Sequence, residues 1–150
     1  MALQLILPKQ ASEAHIQIPG TAIFLVPPPG FKVSENFKGF QNPTDLNSMI
    51  KVMELPIPFY RITAGFSKFI LRLRRMRLKS KTKVEFYGYQ GLLLKLAQKV
   101  KGKRVYKHVL VYGDSAKSIM VIGIYPKADE LVGAEIQSSL MSIFIDTDYR

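Results

Sequence analysis

The stretch from Lys79 to Tyr125 constrains the fold more than any other part of the chain. It reads as four strands, over 79–87, 89–101, 103–112 and 116–125, rich in Val, Tyr, Phe and Leu with Lys interleaved. Lys101-Gly102 and Gly113-Asp114 stand between the later strands as tight turns, where glycine tolerates positive φ. Strands joined this closely have no room for the crossover of about a dozen residues that parallel pairing needs, so they form an antiparallel meander.

The rest of the chain supplies what such a sheet packs against. Gly20–Val26 is a strand that stops at Pro27-Pro28-Pro29-Gly30. Phe31–Ser34 and Lys38–Phe40 are short extended pieces, and Ser48–Leu55 is a further strand ended by Pro56 and Pro58. The spacing of Phe66, Phe69, Ile70, Leu73 and Met76 predicts a helix over Gly65–Met76 with one apolar stripe facing the core. Basic residues flank that stripe, which leaves a membrane-surface helix as the other reading. A second helix is expected over Ala128–Phe144. Leu131, Ile136, Leu140, Ile143 and Phe144 form its apolar side, and Asp129 and Glu130 suit the positive end of its peptide dipoles. Residues 1–19 read as an N-terminal arm bracketed by Pro8 and Pro19, and 20–150 as a single α+β domain. At 150 residues and 47% hydrophobic, the chain can bury a core of its own.

Charge is the least ordinary property. The net charge is +11, and between Arg61 and Lys107 there are 15 lysines and arginines against one acid, Glu85. That third of the chain carries +14 and the remainder −3. Lys79, Lys81 and Lys83 recur at the strand period and are expected on one face. Lys99, Lys101, Lys103 and Arg104 surround a hairpin turn, and Arg72, Arg74, Arg75 and Arg77 close the first helix. A docking face for an anionic partner is expected from Arg72, Arg74, Arg75, Lys79, Lys81, Lys83, Lys103 and Arg104.

Several chemistries lack their starting residues. There is no cysteine, hence no disulfide, thiolate nucleophile or thiolate-ligated metal. His15 and His108 are the histidines, and no His-x-x-x-His spacing occurs. Asp146-Thr147-Asp148 is too short for a calcium loop. Gly-x-Ser-x-Gly is missing, and no Gly-Lys-Ser/Thr follows Gly88-Tyr89-Gln90-Gly91. Tyr87, Tyr89, Tyr106 and Tyr112 interleave with Lys83, Lys95, Lys103, Arg104 and Lys107, a mixture that single-strand nucleic-acid binders use. Met1–Pro8 is apolar but lacks the basic start of a signal peptide. The reading leans to the cytoplasm, with export open if a signal peptide has been removed ahead of Met1.

The order of elements resembles the PsbP-like superfamily, which includes photosystem accessory proteins, bacterial lipoprotein relatives and a Ran-GTPase-binding branch. The opening Phe24-Leu25-Val26-Pro27-Pro28-Pro29-Gly30-Phe31-Lys32-Val33 is similar to that family's strand running into a Pro-Gly-aromatic turn. Phe40-Gln41-Asn42-Pro43, Tyr87-Gly88-Tyr89-Gln90-Gly91 and Ile143-Phe144-Ile145 resemble later landmarks. Where the family's turn usually carries Trp, this chain has Phe31, expected in the same pocket. The resemblance implies a mostly antiparallel sheet flanked by helices, across residues 20–145. It transfers no set of functional residues. The expected function is a non-catalytic accessory or binding domain, with no cofactor and no metal. Its partner would be a protein or other anionic molecule. The alternatives are a polyanion binder, for nucleic acid or an anionic lipid surface, and an enzyme with a site near His108.

Overall fold

The computed structural model describes residues 4–6, 11–86 and 89–146. Tyr87 and Gly88 of the tyrosine–glycine motif, and Thr147 and Asp148 of the acidic tail, lie outside the described residues. The chain opens with β1 (Gln4–Ile6), β2 (Ile16–Gln17), β3 (Ile23–Leu25), β4 (Lys32–Val33), β5 (Gly39–Asn42) and β6 (Asp45–Leu55). Two short helices follow, α1 (Phe59–Ala64) and α2 (Lys68–Leu73). Then come β7 (Met76–Phe86), β8 (Tyr89–Val100), β9 (Lys103–Gly113), β10 (Ser118–Pro126), α3 (Glu130–Met141) and β11 (Phe144–Ile145).

Among the described residues, eight strands form one sheet in the order β1-β7-β8-β9-β10-β6-β5-β4, and three form a small sheet, β11-β3-β2. The four-strand meander expected over 79–125 is its centre, and every pairing in the large sheet is antiparallel except that of β1 with β7. Both faces are covered. Val84, Leu93, Leu110 and Val121 pack with Ile136 and Leu140 of α3 and with Ile23, Leu25 and Ile145 of the small sheet. Leu92, Leu94, Leu96, Val109 and Val111 pack under Leu71 of α2, with Phe59, Ile62 and Phe66 alongside. A sheet dry on both sides explains why Leu92-Leu93-Leu94 and Val109-Leu110-Val111 are continuous rather than alternating. Ile18, at the end of the 1–19 arm, is fully buried in the α3-side core.

Phe31 is buried beside the Pro27–Gly30 turn, its N–H bonded to the Pro28 carbonyl at 3.0 Å. α3 lies close to the sheet because two glycines permit it. A Cβ on Gly123 would overlap the Ile136 side chain, and one on Gly133 would overlap the Tyr125 ring.

Two helix expectations are corrected. The predicted helix over Gly65–Met76 is shortened at both ends to Lys68–Leu73. Gly65 caps α1, its N–H bonding the Ile62 carbonyl while the Phe66 N–H bonds that of Thr63, and Ser67 restarts the chain as the N-cap of α2 by accepting from the Ile70 N–H. Met76 is already in β7. The restart rotates the stripe. Leu71, outside the predicted set, is the buried anchor, while Phe69 and Leu73 are 68% and 67% exposed. The second helix ends at Met141, not Phe144. Ser142 stops it, donating its hydroxyl to the Ser139 carbonyl and accepting the Val26 N–H at 2.9 Å, so that Phe144–Ile145 pairs with β3 instead. Leu131, expected on the apolar side, is 73% exposed.

Candidate functional site

The strand registers decide how the basic residues gather. Met76 at the start of β7 pairs with Gln98 near the end of β8, and Val100 pairs with Lys103 across the next turn. The α2–β7 turn and the β8–β9 hairpin therefore leave the sheet at the same end. Arg72, Arg74, Arg75 and Arg77 come to that end from one side, and Lys99, Lys101, Lys103 and Arg104 from the other; all eight are exposed. Lys127 joins them, its N–H bonded to the Arg104 carbonyl at 3.0 Å.

Of the eight residues expected to form a docking face, five meet here: Arg72, Arg74, Arg75, Lys103 and Arg104. Lys81 and Lys83 do not. Lys83 lies seven residues into β7, roughly 23 Å along the strand. Both are paired with leucines of the face that α1 and α2 cover, Lys81 with Leu94 and Lys83 with Leu92, which puts them on the α2 side of the molecule. Lys79 sits at a register shift between Leu78, paired with Leu96, and Ser80, paired with Lys95. This bulge interrupts the two-residue alternation at Lys79, so strand period alone does not fix its face, whereas Lys81 and Lys83 share one.

Backbone strain marks the same end. Arg75 (φ 60) and Lys101 (φ 51) are the non-glycine residues with positive φ among the described residues. Left-handed backbone costs an ordinary L-residue about 1 kcal/mol or more, and glycine or asparagine would take either position more cheaply. Lys101 with Gly102 (φ 81) forms the two-residue turn in which Asn-Gly is the favoured pair.

His108 occupies a different environment. It is 4% exposed, on the α3 side of the sheet beside Tyr125. The two rings stack at 5.2 Å, and Tyr125 Oη lies 3.0 Å from His108 Nε2. Burial, and after it the Lys95 cation, lower the imidazole pKa to about 4 against a hydrogen bond to the Gly133 carbonyl that raises it. A neutral ring at ordinary pH accepts from the Tyr125 hydroxyl, whose own pKa burial raises to about 12. His108 is thus a satisfied part of the α3 packing. His15 is tied down as well, its ring lying 2.8 Å from the Ser12 N–H and 2.6 Å from the Ser142 carbonyl.

Of the aromatic residues expected to stack bases, Tyr106 and Tyr112 are engaged elsewhere, and the side chains of Tyr87 and Tyr89 lie outside the described residues. Tyr112 is in the core, and Tyr106 packs edge-on to Tyr125 at 5.9 Å with Lys95 Nζ 4.6 Å above its ring. Burial also lowers the pKa of Lys107, which is half-buried. At the opposite end of the sheet a cleft of about 530 Å³ opens between the β9–β10 turn and the small sheet, with Glu54, Asp114 and Asp146 on its walls.

One face drawn from both basic clusters was the expectation; the β7–β8 register that brings five of its eight residues to one end is not written in any local spacing. The sequence also left out Tyr125 as the partner of His108, since no local spacing links two residues joined by strand pairing.

The chain matches no family model and no curated protein sequence. Solved structures do share its architecture. Cyanobacterial PsbP (CyanoP) from Synechocystis sp. PCC 6803 superposes with a TM-score of 0.58 at 11% identity, over 93% of this chain and 97% of that one. LpqN of Mycobacterium tuberculosis, involved in cell envelope biogenesis, gives a TM-score of 0.54 at 12% identity, over 82% of each chain. A Bacteroides thetaiotaomicron VPI-5482 protein gives 0.52 at 12% identity over 85% of this chain, which spans 46% of that protein. The fold is therefore PsbP-like, an α+β sandwich built on a mostly antiparallel sheet. No helix among the described residues is long and apolar enough to cross a membrane.

Proposed function

We propose that this chain is a non-catalytic accessory or binding domain that docks an anionic partner on the basic end of its large sheet. The observation that carries the reading is the convergence of eight exposed cations from two separate turns. Cations crowded this way repel one another, and ionic screening relieves the repulsion only in part, whereas an anionic partner relieves it directly. Holding Arg75 and Lys101 at positive φ adds weight, because strain tolerated at a surface turn is a pointer to use.

Heparin serves as a generic polyanion for the test. Binding is expected to weaken steeply with rising salt. Reversing Lys99, Lys101, Lys103 and Arg104 to Glu should cut affinity at least tenfold and flatten the salt dependence, with the circular dichroism spectrum unchanged. Binding that ignores either salt or the reversal would overturn the proposal.

The strained turns give a second test, in which stability and binding move in opposite directions. Lys101→Asn and Arg75→Gly should each stabilise the fold by about 0.5–1 kcal/mol, read as a rise of roughly 1–4 °C in Tm. Each should also weaken heparin binding. Variants that melt at or below the parent temperature would show that the left-handed backbone carries no strain there.

A further inference from the structure

The apolar stripe of α2 points away from the protein. Leu71 anchors the helix at 1% exposure, and Phe69 and Leu73 lie two residues to either side of it, about 200° around the helix, on the outward surface. They are four residues apart and so neighbours on one face. α1 adds Tyr60, which is 67% exposed while Phe59 and Ile62 pack inward. This outward surface is rimmed by Arg61, Lys68, Arg72 and Arg74, all exposed. From Arg61 to Val84 the sequence contains no acid.

We infer that this surface docks on a bilayer containing anionic lipid, with Phe69 and Leu73 entering the boundary between headgroups and acyl chains and the surrounding cations binding the headgroups. The inference rests on the reading of the basic end as a docking site for an anionic partner and specifies which partner. A soluble polyanion would satisfy the arginines and lysines but offers nothing to Phe69 and Leu73. An anionic bilayer takes both, because apolar insertion and headgroup attraction act together at its surface. Tyr60 suits the same depth, with an apolar ring and a polar tip. Lys81 and Lys83, on the α2 side of the sheet, extend the cationic surface in the same direction.

The chain contains no Trp, so a Phe69→Trp variant carries a single reporter. Its emission should shift to the blue with vesicles of phosphatidylcholine and phosphatidylserine, and stay put with phosphatidylcholine alone. Co-sedimentation of the otherwise native chain should show the same lipid dependence. The double variant Phe69→Ser/Leu73→Ser should lose at least tenfold in vesicle affinity yet keep its heparin binding, while Leu131→Ser, exposed on α3, should change neither. Heparin binding without vesicle binding would overturn the bilayer inference and leave the docking proposal standing; loss of both would sink the two together. A blue shift that grows with protein concentration in the absence of lipid would assign the surface to a second copy of the chain and also overturn the inference.

Discussion

Replacing Phe31 by alanine is expected to destabilise the fold by about 3–5 kcal/mol, the range for truncating a buried aromatic side chain. The ring is 7% exposed and belongs to the core that holds Ile18, Ile23, Leu25 and Phe40. Its position is set before packing begins. Gly30 turns the chain at φ 83, and the Phe31 N–H closes onto the Pro28 carbonyl, so the side chain can enter the core only at this point. Neighbours fixed by a proline turn cannot collapse into the space left behind. A chain of this size should then lose roughly 6–20 °C in Tm. Thermal or urea unfolding measures the loss, and an unchanged Tm would place the aromatic outside the core.

Acidification should remove about 3 kcal/mol through His108 alone. In the unfolded chain the imidazole titrates near 6.5, and in the fold near 4. Between those values the unfolded state binds more protons, so stability falls as pH falls. The contribution of the neutral ring is fully present above pH 6.5, declines through the window, and levels off below about 4. The His108→Gln variant keeps a polar partner for Tyr125 but has nothing to titrate. Its stability between pH 6.5 and 4 should therefore fall less than that of the parent by this amount. Identical pH profiles for the two would show that the ring is hydrated in the fold.

The sequence made the sheet legible and the helices much less so. Strands 79–125 announce themselves through length, composition and two-residue turns, all local quantities. The Pro27–Gly30 turn and the burial of Phe31 were readable for the same reason. The first helix was not, because Phe66, Phe69, Ile70, Leu73 and Met76 satisfy helical spacing whether or not the chain is continuous. One hydroxyl, at Ser67, starts a new helix and turns the stripe outward. Likewise, alternation places Lys81 and Lys83 on one face, as their pairing with Leu94 and Leu92 does, while a register shift beside Lys79 takes that residue out of simple alternation. The basic end was visible as two clusters in sequence. Only the pairing of Met76 with Gln98 makes them one place.

The separation of that end from the cleft, whose walls carry Glu54, Asp114 and Asp146 against one cation, Lys117, gives the molecule an electrical polarity along its strands. β8 alone, at 12 residues, spans roughly 40 Å. Screening in physiological salt acts over about 8 Å, so the two ends do not cancel each other's field at the surface. In the field of an anionic body the molecule feels a torque as well as an attraction. It rotates to present the basic end before any atoms touch, and fewer collisions are wasted on the wrong orientation. Under the docking proposal, the geometry of the sheet acts on how quickly an anionic partner is found, separately from how tightly it is held.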